Sequence, residues 1–490
     1  MPTKCSNNKQ CTDVLVIGNG PSGISLSYLL SGYRPYYTGK PHPNSILNAR
    51  LQDLDRNVSL VEQNLEPLCE GLDGRSSNPV AVLFDALTHP DADLGEDNPS
   101  LLEWRYEPQH KIDHMVLGKS RPGGSWQNME GSMQTLSLSS WMELPGLPFG
   151  KWLLNNKQSK EKPMTERATI NDVCDYYMSF VKEKKLEDNF HDSHIVTSVH
   201  KVYKRQKGAC IDDESGEIEP CCTNMTKHPY HWEVRGYRMV PGCHDNSATR
   251  EEFCISALFV VIATGTFDIP NKLGALGEKL SFVSHSLHEF ESVINHSKLS
   301  ESHDPVLVVG AGLSAADAIL MALQSQVPIV HAFRRNANDS NLILRKLPKN
   351  MYPEYHKIHS LMKGTEQNPL YKAMARQDIV EIKEDKSVLL KPHKKGSDDI
   401  TSLNVSHIGI LIGSRPDLSF LPHEGREIGV LKKYPIQSKH NPIDIDPYSY
   451  QCVHELGLFA MGPLVGDNFV RFGQGGALGI ANYLSSRNKQ

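Results

Sequence analysis

The chain has no apolar run of the roughly 20 residues that a membrane-crossing helix needs; its longest hydrophobic stretches are only strand-length. Its start carries neither the basic cluster nor the unbroken apolar stretch of a secretory leader. A soluble, cytoplasmic protein is therefore expected, with a nuclear or mitochondrial share left open. An excess of positive charge is also missing: 52 Lys and Arg stand against 57 Asp and Glu, a net charge of -5. No basic field argues for nucleic acid or for an anionic membrane surface. Ten cysteines are present, yet no Cys-x-x-Cys, and Cys221-Cys222 are simply adjacent. That spacing supplies no metal-ligand pair and no redox dithiol, so no metal is expected and the thiols read as free.

What is present points to nucleotides. At 490 residues, 39% of them hydrophobic, the chain fits two or three domains. Two short β-branched runs each end in a glycine turn: Val14 to Ile17 before Gly18-Asn19-Gly20-Pro21-Ser22-Gly23, and Val306 to Val309 before Gly310-Ala311-Gly312-Leu313-Ser314-Ala315. The first glycine of such a turn permits the tight strand-to-helix exit. The second lets backbone amides approach a pyrophosphate, and the third lets the helix pack closely on the strand, its positive end facing the phosphates. An amphipathic continuation follows both copies, from Ile24 and from Ala316. One copy suggests a dinucleotide site; two suggest a flavin and a nicotinamide nucleotide on one chain. No other internal repeat is apparent.

Two further stretches have the same character. Val116 to Ser120 leads into Pro122-Gly123-Gly124-Ser125-Trp126, where paired glycines let backbone pass close to a flat ligand and Trp126 offers a rigid wall. Phe259 to Ile262 reads as a buried strand ending in Ala263-Thr264-Gly265, a sharp exit that suits a strand beside a cofactor. A turn with a core aromatic, or an ordinary strand exit, would read similarly.

Taken in order, Gly18 to Gly23, Pro122 to Trp126, Ala263 to Gly265 and Gly310 to Ala315 are similar to the motif set of class B flavin-dependent monooxygenases. Within that superfamily the chain resembles the oxidative stress-induced growth inhibitor family over nearly its whole length. Residues 18 to 33, Arg75 to Leu87, Leu347-Pro348 with Tyr352 to Lys357, and Gly462 to Phe472 carry that resemblance. It implies an α/β fold of two Rossmann-like domains, one for FAD and one for NADPH, the NADPH domain inserted in a discontinuous FAD domain. It also implies an NADPH-dependent flavoprotein that inserts one oxygen atom from O2 into a small-molecule substrate and is linked to cell growth and oxidative stress. Motif order then places the first part of the FAD domain at 11–302, with 34–113 as insertion or cap, the NADPH domain at 303–400 and the FAD completion at 401–490. A β-rich excursion is expected from Tyr176 to Phe253.

The residues sharpen these expectations. The strand after the second turn ends in Arg334-Arg335, where an NAD site presents a carboxylate and a 2′-phosphate prefers guanidinium, so NADPH is favoured. Gly466-Asp467 reads as a turn, and residues from Gly473 as a small-residue helix start; in similar flavoproteins an Asp at this turn binds the ribityl chain, and a plain helix cap would look the same. The acidic residue usual for the FAD ribose is missing, because Gly118 stands where Glu is expected; Glu62 would serve if Val58 to Glu62 were the second strand. The usual monooxygenase fingerprint, Phe-x-Gly with a spaced His, is absent, and Phe282 to Ser286 is at most a compressed relative of it. Where the animal enzymes place an Asn against the flavin, this chain offers Gln134 and Ser137, the candidate catalytic pair. Two other readings remain open: an NADPH oxidase-like flavoprotein releasing hydrogen peroxide, and a growth-regulatory scaffold keeping its nucleotide folds only as architecture.

Overall fold

Val14, Leu15 and Val16 are fully enclosed, and with Ile17 they form the inner half of strand β1 (Gln10–Ile17), which turns through Gly18 into helix α1 (Pro21–Leu30). β2 (His114–Leu117), α2 (Ile170–Glu183), β3 (Phe190–His191), β4 (His194–Tyr203), β5 (Tyr230–Val240) and β6 (Thr249–Ile262) follow. Next come β7 (Val283–Ser284), β8 (Val306–Val309), α3 (Leu313–Gln324), β9 (Ile329–Phe333), β10 (Tyr371–Ala375) and β11 (Ile408–Ile410). The chain closes with β12 (Leu458–Ala460) and α4 (Val470–Arg487). The computed structural model describes residues 10–129, 131, 133–157, 166–204, 228–240, 249–296, 299, 304–393 and 399–487. Among these, no helix is long and apolar enough to cross a membrane.

Two units result. The first takes the chain up to Thr266 and again from Pro416; the second is the continuous stretch Phe267–Arg415. In the first, β3, β2, β1, β6 and β12 lie side by side and parallel. The 14-residue β6 does double duty: its outer half pairs antiparallel with β5, and β5 in turn with β4. In the second, β7, β11, β8, β9 and β10 form an all-parallel sheet. Parallel strands buried on both faces account for the continuous apolar runs at 14–17, 259–262 and 306–309. Both units are Rossmann-like, and the second is inserted in the first.

Several expected boundaries shift. The inserted unit runs from 267 to 415 rather than 303 to 400, because its own sheet needs β7 and β11, which lie outside that range. Tyr176 sits on α2, not in a strand: Thr169 caps this helix by accepting from the Asp172 amide, and Tyr176, Tyr177 and Phe180 fill its buried face. Residues 34–113 have structure of their own, with a hairpin of Tyr33–Tyr37 and Leu102–Tyr106 and a buried helix Pro79–Thr88. The glycine run from Gly473 is not a helix start; α4 begins at Val470 and carries those glycines inside it. Cys11 is disulfide-bonded rather than free, whereas Cys69, Cys174, Cys254 and Cys452 are free thiols.

Candidate functional site

The first turn divides its glycines by role. Gly18 has φ +117°, and a Cβ there would lie 2.3 Å from the Ala263 carbonyl oxygen, so only glycine makes this exit. A Cβ on Gly23 would lie 2.0 Å from the Gly18 carbonyl oxygen, which makes the close helix-to-strand contact equally exclusive. At Gly20 the space is open: the nearest atom to such a Cβ, the Gly123 carbonyl oxygen, is 4.0 Å away. Gly20 is the N-cap of α1, and the positive end of the helix has neither a capping side chain nor an acidic residue in its first turn to offset it.

Segments far apart in sequence close around this turn. The Gly123 amide donates to the Asn19 carbonyl at 2.9 Å, and a Cβ on Gly124 would come within 3.0 Å of Gly20 Cα. The Thr264 amide bounds Gly18, and the Thr264 hydroxyl is buried without a partner. Gly265, at φ +72°, opens onto free space. From the C-terminal segment, Gly462 and Gly473 flank Ser22: a Cβ on either would lie 2.6 or 2.9 Å from its Oγ. Trp126 is half-buried on a short 3-10 turn over α2, where its carbonyl accepts from the Cys174 thiol. Pro21 is the first residue of α1, where its missing N–H costs nothing.

The second turn repeats the pattern. Gly310 has φ +138°, and its Cβ would meet the Leu411 carbonyl oxygen at 2.2 Å, while Gly312 has nothing within 4 Å. Ala315 takes the third position, 3.4 Å from a Cβ on Gly310, and Ser314 is exposed on the first turn of α3. His331, on β9, donates from Nε2 to the Gly310 carbonyl at 2.6 Å and accepts the Tyr371 hydroxyl on Nδ1 at 2.7 Å. Its full burial pushes its pKa down to about 4, so the ring is neutral. Arg334 and Arg335 leave β9 at the end that follows these turns, 58% and 51% exposed, held by Asp378 at 2.7 Å and Asp339 at 3.3 Å.

A dinucleotide fits both turns on these observations: each has an open central glycine at an uncapped helix N-terminus, and the first has an orphan hydroxyl beside it. The remaining expected residues fall as follows. Gly466, at φ +98°, makes the turn before Asp467, and Asp467 is 1% exposed. Its carboxylate accepts from Ser76 at 2.5 Å, Asn78 at 3.0 Å and Tyr450 at 3.1 Å; burial pushes its pKa up to about 7 against those hydrogen bonds. Gln134 is exposed and Ser137 half-buried on a two-stranded ribbon with Arg167–Thr169. Glu62 lies on a 3-10 turn beside His110, just before β2, so it sits at the edge of the sheet opposite Gly18 and does not replace Gly118. His285 is engaged by Glu278 at 3.1 Å.

One buried cluster was not read from the sequence, although Asp85 and Arg471 lie in the runs 75–87 and 462–472 that carry the family resemblance. Arg471, 1% exposed, donates to Asp85 at 2.8 Å and to Asp93, with the Trp141 ring 4.3 Å from its guanidinium. His89 stands between Asp85 and Glu143, 3.6 and 3.4 Å away. Burial alone would lower its pKa, but the two carboxylates prevail and push it up to about 9. The cluster ties the 34–113 insertion to α4 through charge pairs spread along the sequence, which local motifs do not reveal.

A human oxidative stress-induced growth inhibitor 2 is 46% identical over 488 residues, covering 97% of this chain and 94% of that protein. The chain belongs to the oxidative stress-induced growth inhibitor family. Residues 247–440 also match the pyridine nucleotide-disulphide oxidoreductase family. Among solved structures, a bacillithiol disulfide reductase from Bacillus cereus aligns with TM-score 0.56 at 15% identity, covering 98% of this chain and all of that one (100%). The reduced ornithine hydroxylase from Pseudomonas aeruginosa aligns with TM-score 0.55 at 11% identity, again over 98% and 100%. The chain thus has the fold of these flavoprotein oxidoreductases.

Proposed function

We propose that this chain is an FAD- and NADPH-dependent monooxygenase that inserts one atom of O2 into a small molecule, acting in the growth and stress response named by its relatives. The observation that carries the reading is the convergence of residues 122–126, 263–265 and 462–473 on the turn at 18–23, in which Gly20 is left open. A structural turn gains nothing from leaving that position unfilled, whereas a pyrophosphate needs it. Gly18, Gly20, Pro21, Ser22 and Gly23 would hold the FAD pyrophosphate, with Gly123, Gly124, Trp126, Thr264, Gly265, Gly466 and Asp467 around the rest of the cofactor. Gly310, Gly312 and Ser314 would hold the NADPH pyrophosphate, and Arg334 and Arg335 its 2′-phosphate. When bound, these cofactors supply hydride transfer and oxygen activation. The chain's share is to bind and orient them, to exclude water, and, at Gln134 and Ser137, to offer hydrogen bonds to the reacting flavin edge.

The experiment is direct. Purified protein should be yellow, retain one FAD per chain, and bleach anaerobically with NADPH. Oxygen uptake matched by oxygenated product supports the monooxygenase. Uptake matched wholly by hydrogen peroxide converts the reading to an oxidase, and a colourless protein that ignores both cofactors overturns it.

A further inference from the structure

The missing acid at Gly118 has a physical cause. A Cβ at this position would lie 1.9 Å from Asn19 Nδ2 and 2.2 Å from its Cγ, so the Asn19 side chain fills the volume that an acidic residue would need. Asn19 is 3% exposed. Its amide nitrogen donates to the Ser120 carbonyl at 2.6 Å and to Asp192 Oδ1 at 3.4 Å. Asp192 follows β3, which pairs in parallel with β2. The Gly118 amide donates to the His191 carbonyl at 3.0 Å, and the His194 amide to the Gly118 carbonyl at 2.9 Å, which locks the two strand exits together. Asp192 therefore stands at the sheet edge that carries Gly18 and Gly118, one strand further out.

We infer that Asp192, positioned by Asn19, is the carboxylate that receives the ribose diol of the adenosine half of the dinucleotide at the first turn. This rests on the flavin reading proposed above. Asn19 engages one carboxylate oxygen, and among the described residues Oδ2 has no hydrogen-bond partner. A carboxylate with a free oxygen accepts vicinal hydroxyls well, because it offers several lone pairs and no donor. The neighbouring cation Lys119 is occupied by Asp417 at 3.6 Å, so it does not neutralise Asp192. Burial raises the Asp192 pKa, while Asn19 and the nearby Arg121 oppose that rise.

The test is Asp192→Asn in the full chain, titrated with FAD and with an FAD analogue lacking the adenosine ribose 2′-hydroxyl, and read by quenching of flavin fluorescence. Wild type should prefer FAD over the analogue, and Asp192→Asn should bind FAD about tenfold more weakly while binding both ligands equally. Asp192→Glu, which keeps the charge, should restore part of the preference and guards against a folding defect in the first variant. If wild type binds FAD and Asp192→Asn keeps full affinity and full preference, the assignment is overturned while the flavin reading stands. If wild type binds no flavin, both fall.

Discussion

The imidazole of His331 holds the carbonyl of Gly310 at 2.6 Å, fixing the exit of the second glycine turn from one strand over. His331→Phe removes that donor and leaves the Tyr371 hydroxyl without its acceptor. Binding of NADPH should weaken about tenfold with flavin content unchanged, and stability should fall by about 1–3 kcal/mol. Isothermal titration with NADPH and chemical unfolding measure the two. Because the ring is already neutral above pH 4, His331 should add no pH dependence to NADPH binding between pH 6 and 8.

Arg334 and Arg335 are exposed beyond their single carboxylate partners, leaving guanidinium N–H groups for a phosphate. Arg334→Ala with Arg335→Ala should raise the KM for NADPH at least tenfold while changing that for NADH little. Equal changes for both cofactors would remove the 2′-phosphate assignment.

Gly18 and Gly20, two residues apart, should respond oppositely to alanine. Gly18→Ala forces a Cβ to 2.3 Å from backbone at positive φ, and soluble yield should drop sharply. Gly20→Ala meets nothing closer than 4.0 Å, so its thermal unfolding should match wild type while retained FAD falls. Absorbance per folded protein separates the two outcomes.

The Arg471 cluster predicts an alkaline weakness. The carboxylates of Asp85 and Glu143 raise the His89 pKa to about 9 from its ordinary 6.5, so its charged form stabilises the fold fully below pH 6.5. That contribution is lost as pH climbs from 6.5 through 9. His89→Gln should flatten the fall in melting temperature over that window. Arg471→Met, which takes the buried guanidinium from Asp85 and Asp93 and leaves them only His89 and Arg75, should cost about 3 kcal/mol in urea unfolding at pH 7.

Residues whose meaning is local could be read from the sequence. Val14 to Ile17, Gly18 and Gly23 announce a strand and its turn because the constraint acts within a few residues. The strand ending at Arg334-Arg335 was likewise legible from its apolar run and spacing. Asn19 over Gly118 was not: the chain shows a missing acid, but the side chain that displaces it comes from another strand exit. The glycines of α4 misled for a related reason. A Cβ at Gly475 would lie 2.3 Å from Ala81 Cα and one at Gly479 2.5 Å from the Tyr448 carbonyl oxygen, so these glycines serve close packing inside a helix rather than marking its end. Tertiary contact there outweighs the roughly 1 kcal/mol helix penalty of each glycine.

Ser22, near the front of the polypeptide, is hemmed in by Gly462 and Gly473, near its back. On the ribosome, the 267–415 stretch is complete as soon as it emerges, whereas the first turn must wait for the final strand and helix. Chain termination between Arg415 and the start of α4 therefore yields a product whose inserted unit is whole and whose first cradle was never built.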